Sequence, residues 1–441
     1  MTDIQIIEKI IAALFSLGIL SIGILVGKWL KTFLNPTSIF CFFWFIYTFF
    51  PIVFVISVPI NALSIIFIFI AIFFFSVSVI FFKWNIAFDK NQLKKELVPN
   101  LFSNSFMINM NYLIFIIIIV CLIIDIYIQG FTIFDFTSNF FESSNKFMVK
   151  RYTDEIIPNP FSQVSNILNY SLNILGGIVI GSKITNKITN IKLIIINIMP
   201  AAIITLTQAA KGTILLSIVL FFSGILISRI FKHNLELTNK KTNKILLFAS
   251  ISLLIILLIS ILSRGLYELE GSDLISTLKY NFNSYAFGHI YAFSDWFSFY
   301  LFSDSLENYV FNGHTNGFYT FMSIFKAFGD TTFVPPGVFI EYFSYNNILQ
   351  TNIYTLFRGT ITDFGIFGSF IFCFFLGLFS NISYYCILYF KKPIWSISFF
   401  SILLGFYYTS FIISLFIWKS VFITILVVSL ILKINYLKIK Y

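Results

Sequence analysis

The feature that most constrains this chain is a series of apolar runs, each about 20 residues long, separated by short polar segments. Of the 441 residues, 58% are apolar and only 11% are charged. Soluble domains carry about 25% charged residues. The composition therefore excludes a soluble fold and predicts an all-α, polytopic membrane protein.

About eleven runs are long enough to cross a bilayer as helices. The first run has no basic segment before it and no small-residue cleavage site after it, so we expect a retained helix rather than a signal peptide. The predicted spans cover residues 4–26, 36–58, 60–82, 109–128, 163–182, 191–210, 212–230, 245–263, 361–390, 394–416 and 418–433.

Two long connections interrupt this series. The first, of about residues 129–162, lies within the segment 1–263 that holds the first eight predicted helices. The second, of residues 264–360, precedes the ninth helix, and residues 361–441 hold the last three. Long ordered loops are usually functional. We expect residues 264–360 to form a large external loop, with short amphipathic helices at the membrane interface over its aromatic run 285–300.

Lysine and arginine predict the orientation, because they collect in cytoplasmic loops. With eleven helices, every Lys-rich segment falls on one side, so the N-terminus is expected in the periplasm and the C-terminus in the cytoplasm. The net charge of +10 then reflects topology rather than nucleic-acid binding. These segments are Lys28/Lys31, Lys83–Lys95, Lys183–Lys192, Arg229–Lys244, Lys391/Lys392 and Lys433–Lys440.

Three cation–glycine pairs fall on the opposite, outer side: Lys211-Gly212, Arg264-Gly265 and Arg358-Gly359. Cations held there need another reason, and an anionic, lipid-linked substrate such as a pyrophosphate supplies one. Glycine would let the backbone approach a phosphate, and Arg suits bidentate phosphate binding. Local alternatives stay open: Lys211 could snorkel, and Arg264 could neutralise a helix C-terminus.

Arg151, in FMVKRYTDE, is a fourth candidate cation, with a surface ion pair as its alternative. Glu268 and Glu270, with Asp273, have a spacing that could hold a metal, but this spacing is common. The four cysteines lie in apolar runs without metal-ligand spacing. We therefore predict no metal and no cofactor.

His314, in FNGHTNGFYTF, is a candidate for proton transfer, because histidine exchanges protons near neutral pH. A solvated loop histidine is its alternative. Asp363 could serve as the charge partner of a helix N-terminus. His289 is expected to be packed or interfacial.

Residues 352–368 read NIYTLFRGTITDFGIFG. This segment resembles the one that closes the large external loop of bacterial oligosaccharide repeat-unit polymerases, the O-antigen and capsule polymerases of the Wzy type. Lys211-Gly212 resembles the family's basic residue before an apolar run, although Arg is common there. The residues that carry the resemblance of the loop segment are Asn352, Tyr354, Thr355, Asp363, Phe364, Gly365 and Gly368.

The resemblance implies a glycosyltransferase with a GT-C-like helical fold in the bacterial inner membrane. The expected donor is a growing glycan on undecaprenyl pyrophosphate, and the acceptor is one lipid-linked repeat unit. Lys211, Arg264 and Arg358, with Arg151, would hold the leaving pyrophosphate. His314 would deprotonate the acceptor, because the related O-antigen ligases use a loop histidine, and Asp363 and Glu341 remain open as bases. The aromatic loop suits stacking on sugars and hydrogen bonding to them, and its candidate glycan-binding residues are Asn352, Tyr354 and Trp296. The bilayer and a chain-length regulator protein are the other expected partners.

A lipid-linked oligosaccharide flippase or another transporter is the main alternative. Transporters carry ionisable or broken helices near the bilayer midplane, whereas charge in this sequence gathers at one surface. A membrane acyltransferase would need His or Asp within its helices, and a structural scaffold would leave the outer cations unexplained.

Overall fold

The computed structural model describes residues 2–89, 101–102, 104–153, 155–182, 187–208, 210–236, 259, 271–335 and 337–439. Helices dominate these ranges, and the only sheet within them is a two-stranded hairpin. In chain order the elements are α1 (Asp3–Trp29), α2 (Pro36–Phe54), α3 (Ala62–Val77), α4 (Trp84–Asp89), α5 (Ser105–Ile128), α6 (Ile133–Ser138), α7 (Phe140–Tyr152), α8 (Pro160–Gly181), α9 (Lys187–Thr207), α10 (Lys211–Phe231), α11 (Gly271–Phe282), α12 (Gly288–Phe302), α13 (Phe318–Ala327), β1 (Phe343–Tyr345), β2 (Leu349–Thr351), α14 (Thr355–Tyr389), α15 (Ile394–Thr409) and α16 (Lys419–Ile439).

Nine helices of the described ranges are long and apolar enough to cross a membrane. They coincide with nine of the predicted spans, so the chain is an α-helical, multi-pass membrane protein. The predicted span 394–416 appears as the shorter helix α15. The predicted span 245–263 lies outside the described residues apart from position 259. The count of eleven, the GT-C-like arrangement and the orientation stay predictions.

The chain forms two compact units. The first unit consists of Met1–Trp84, Ser272–Tyr385 and Phe406–Lys419, and it includes α1–α3, α12, α13 and the hairpin. The second unit consists of Asn85–Gly271, Cys386–Gly405 and Ser420–Tyr441.

In the first unit, α12 repairs a break in the hydrogen bonding of α2. Asn35 caps α2 and Pro36 opens it, but Pro51 lies inside the helix. Proline has no N–H for the carbonyl four residues earlier, which is that of Tyr47. His289 of α12 supplies the missing donor, with its Nε2 3.0 Å from the Tyr47 oxygen. Tyr291 of α12 donates to the Pro51 carbonyl at 2.8 Å.

Lys9 satisfies the carbonyls at the C-terminal end of α2. Its buried Nζ donates to the carbonyl oxygens of Val55, Ile56 and Val58 at 2.8, 2.7 and 2.9 Å. A cation is favoured at a helix C-terminus, where carbonyls lack helical partners. Sequence reasoning missed this role, because nothing near Lys9 in the sequence marks the partner.

Residues 285–300 form the expected short helices, but their expected amphipathic setting on a surface is a wrong prediction. A π-helical turn at Asn283–Phe287 leads into α12, and nearly every side chain from Gly288 to Phe297 is buried in the first unit. The run is buried on nearly all sides because it packs on α2 and α3 within the unit rather than lying on a surface. His289 was predicted to be packed or interfacial, and the structure shows it packed.

The second unit is built on close helix packing at glycines. A Cβ on Gly177 of α8 would lie 2.0 Å from the Phe221 carbonyl oxygen of α10, and one on Gly224 would lie 2.3 Å from that of Ile174. Small residues let membrane helices approach in this way. Asn169 donates to Ser217 Oγ at 2.9 Å across the same interface.

Residues 129–162 also fold in the second unit, where α6 and α7 lie between α5 and α8. Gln129 pairs with the backbone of Ile157 in both directions, accepting at 3.0 Å and donating at 2.8 Å. The buried Asp125 accepts from Asn159 at 2.7 Å. Asp125 therefore ties the start of α8 to the end of α5.

Candidate functional site

Arg358 lies in the first turn of α14 and not before the helix, as the sequence suggested. Its side chain is only 4% exposed, and Nη2 lies 2.9 Å from Glu341 Oε2. A helix N-terminus disfavours a cation. The position of Arg358 therefore needs a reason other than the helix dipole.

Four aromatic rings surround the guanidinium. Its Cζ lies 4.0 Å from the ring centroid of Phe339 and 4.1 Å from that of Tyr354. Trp296 and Tyr309 follow at 5.4 and 5.5 Å. Within the described residues, Nε and Nη1 are buried and have no hydrogen-bond partner. We call Arg358, Glu341 and these four rings the arginine cage.

The β-hairpin assembles one side of the cage. β1 and β2 pair antiparallel, with Phe343 opposite Thr351. Asn346 adopts a positive φ of 46° in the turn, which asparagine tolerates. This pairing brings the flanking residues Glu341 and Tyr354 together, and the Tyr354 hydroxyl donates to the Glu341 carbonyl at 3.0 Å. Burial raises the pKa of Tyr354 to about 12, so the phenol is a donor at neutral pH.

His314 contacts α14 at Thr362, which lies one helical turn after Arg358. Its exposed imidazole has Nδ1 3.2 Å from the carbonyl oxygen of Thr362, and the Thr362 hydroxyl donates to the Arg358 carbonyl at 2.8 Å. A carbonyl only accepts, so Nδ1 carries the proton in this hydrogen bond. Nε2 of the neutral ring is then left as an acceptor.

Gly365 makes that contact available. It has φ 70° and ψ −177°, a conformation open essentially to glycine alone, and it interrupts α14. The interruption falls where an amide of the next helical turn would donate to the Thr362 carbonyl. The Thr315 amide and His314 donate to that carbonyl instead. A Cβ on Gly365 would lie 3.4 Å from the His314 ring.

Asp363 is 1% exposed and is fully engaged as an acceptor. Oδ1 accepts from the Thr315 hydroxyl at 2.5 Å and from the Tyr319 amide at 3.0 Å. Oδ2 accepts from the amide and the hydroxyl of Thr320, both at 2.6 Å. Asp363 therefore caps the N-terminus of α13, close to the predicted alternative of a helix-terminal charge partner but on a different helix.

The other candidate cations lie elsewhere or outside the described residues. Arg264 is outside them, as are Glu268 and Glu270. Lys211 begins α10 in the second unit. Arg151, also in that unit, donates to the Gln208 carbonyl at 3.3 Å, so these two cations flank one turn. A Cβ on Gly212 would meet nothing within 4 Å, so packing does not require glycine there.

The candidate glycan-binding residues are mostly not exposed. Trp296 and Tyr354 are buried against Arg358, so neither ring can stack on a sugar as it stands. Asn352 is half-buried against Gly337. Sequence reasoning missed Phe339 and Tyr309, which lie beside Arg358 only because the chain folds back.

Asp295 was also missed. Its Oδ2 accepts from the Tyr309 hydroxyl at 2.9 Å, and its Oδ1 accepts from the Leu306 amide at 2.9 Å. Burial raises the pKa of this carboxyl group. Across the described ranges, no three His, Cys, Asp or Glu side chains lie close enough together to hold a metal ion.

In comparisons with known proteins, no family model, no curated protein and no solved structure matches this chain. Chemically, the described site combines an oriented imidazole with a guanidinium that is held in a nonpolar setting. The first can accept a proton, and the second can stabilise an anion.

Proposed function

We propose that the protein is a membrane glycosyltransferase that polymerises undecaprenyl-pyrophosphate-linked oligosaccharide repeat units. The observation that carries this proposal is Arg358, a buried cation with one carboxylate partner and two nitrogens that have no partner among the described residues. The similarity of residues 352–368 to the repeat-unit polymerases adds to it. The product would be an O-antigen-type or capsule-type polysaccharide.

Arg358 would stabilise the leaving group. As the anomeric C–O bond of the donor breaks, the electron pair and the negative charge move to the pyrophosphate. A guanidinium in a water-poor, aromatic setting stabilises developing charge more strongly than one in water. Nε and Nη1 have donors to offer, and Glu341 is the partner that the anion would displace.

His314 would take the proton. The acceptor hydroxyl gives its proton to Nε2 while its oxygen forms the new bond to the anomeric carbon. Asp363 is a poorer choice of base, because four donors already occupy its oxygens. Glu341 stays open as an alternative base, because the anion would release it from Arg358. The proposal uses Arg358 and His314, and it does not depend on Lys211, Arg151 or Arg264.

The reaction would take place on the outer face of the bacterial inner membrane, where lipid-linked repeat units are joined. The expected partners are the lipid-linked glycans, the bilayer and a chain-length regulator. Such a transfer needs no nucleotide donor and no metal, since the pyrophosphate is already activated and Arg358 supplies the positive charge.

The first test is deletion of the gene in its host, followed by gel analysis of the surface polysaccharide beside a complemented strain. A polymerase deletion should reduce the ladder to a single repeat unit. Complementation with Arg358→Ala should leave the single repeat, and Arg358→Lys should restore only short chains. Loss of even the single repeat would contradict polymerisation and favour a flippase.

A further inference from the structure

We infer that Asp363 is a positioning residue that holds both His314 and the arginine cage against α14. Only the predicted effect on transfer rests on the proposed function. The hydrogen bonds from Thr315, Tyr319 and Thr320 to Asp363, which we call the clamp, are seen in the structure. Asp363 belongs to α14, and all four of its donors belong to residues 315–320. One buried carboxylate thus fastens the segment that carries His314 to the helix that carries Arg358.

The clamp fixes the backbone next to His314. The Thr315 hydroxyl donates to Asp363 Oδ1, while the Thr315 amide donates to the Thr362 carbonyl at 3.2 Å. His314 uses that same carbonyl through Nδ1. If Thr315 moved away from Asp363, His314 would leave Thr362, and the orientation of Nε2 would be lost.

The clamp also reaches the arginine cage. The Tyr319 amide donates to Asp363, and the Tyr319 ring stacks on Phe339 with centroids 5.3 Å apart. Phe339 in turn lies 4.0 Å from the guanidinium of Arg358. Asp363 therefore supports the proposed base on one side and a wall of the cage on the other.

A carboxylate is required, because four donors need acceptor lone pairs on both oxygens. In Asp363→Asn the oxygen could still accept two hydrogen bonds, but the amide nitrogen would face two donors. Asparagine has the shape of aspartate but only one acceptor oxygen, so the donors that face its nitrogen should be released. Asp363→Glu should also be destabilising, because it adds a methylene at a buried position.

The test compares full-length Asp363→Asn with wild type in detergent or nanodiscs. Amide hydrogen exchange over residues 315–320 should be roughly tenfold faster or more in the variant, as expected when one or two hydrogen bonds are lost. Labelling of His314 by diethyl pyrocarbonate, followed by peptide mass spectrometry, should change as well. The matched control is Asp135→Asn, which alters an exposed capping carboxylate in the second unit.

In a transfer assay with lipid-linked repeat units, Asp363→Asn should lower kcat with KM little changed, because Asp363 does not touch substrate. Thr320→Val, which removes one hydroxyl donor, should give a smaller loss and keeps the test usable if Asp363→Asn fails to fold. Unchanged exchange and unchanged labelling in folded Asp363→Asn would overturn the inference. Faster exchange in a protein whose wild type shows no transfer would support the clamp and refute the proposed function.

Discussion

Replacing Arg358 by Met should abolish polymer formation and destabilise the protein, and a second change at Glu341 should restore only the stability. Methionine is similar in length to arginine, so the aromatic rings keep an occupant. Arg358→Met leaves Glu341 without its 2.9 Å partner. Arg358→Met/Glu341→Met removes the whole ion pair. The pair of variants therefore separates the structural role of Arg358 from its role toward an anion.

The expected magnitudes follow from burial. Breaking a buried pair on one side costs about 3–5 kcal/mol. The Glu341 side chain is 24% exposed and can regain water, so Arg358→Met should cost somewhat less, about 2–3 kcal/mol of stability. Replacing both partners with apolar side chains is typically neutral or stabilising by about 1–4 kcal/mol. Loss of one preorganised charge-stabilising group lowers kcat by about 10²–10³.

The stability assay is unfolding in mixed micelles, followed by circular dichroism, for wild type and both variants. The activity assay is the polysaccharide ladder of complemented cells together with protein level in the membrane. The single variant should be less stable and inactive, and the double variant as stable as wild type and still inactive. Long-chain polymer in the double variant at normal protein level would refute the assignment of Arg358 to the leaving group.

Three further outcomes are expected. His314→Ala should lower transfer about 10²-fold or more, and added imidazole should restore part of it if His314 is the base; near-normal chain length would remove that role. Burial lowers the pKa of His289 from 6.5 to about 4. The unfolded chain therefore binds the proton first, and the free energy of unfolding should fall as the pH drops from about 6.5 to about 4. His289→Gln, which keeps a donor for Tyr47, should lose this pH dependence, and an unchanged profile would contradict the assignment. Gly177→Ala should cost about 1–3 kcal/mol by forcing α8 from α10, whereas Gly212→Ala, with open space at its Cβ, should be neutral or slightly stabilising in thermal unfolding.

The spans were predictable because each depends on a local property, about 20 consecutive apolar residues. Nine predicted runs match long apolar helices of the described ranges for that reason. The burial of α12 was not predictable from its largely aromatic sequence. An aromatic run looks the same whether it faces lipid or packs on α2 and α3, and the difference is made by residues about 240 positions away.

The sequence by itself determined that this chain spans a membrane and that Arg358, His314 and Asp363 are candidates for chemistry, because side-chain type decides what can carry charge or accept a proton. Only the tertiary structure decided which groups they contact. Asp363 accepts four hydrogen bonds because folding brings to it donors that lie more than 40 residues earlier in the chain. Arg358 became a caged cation because the hairpin brings Glu341 to it. Such contacts depend on how distant segments fold together, and spacing along the chain does not encode that.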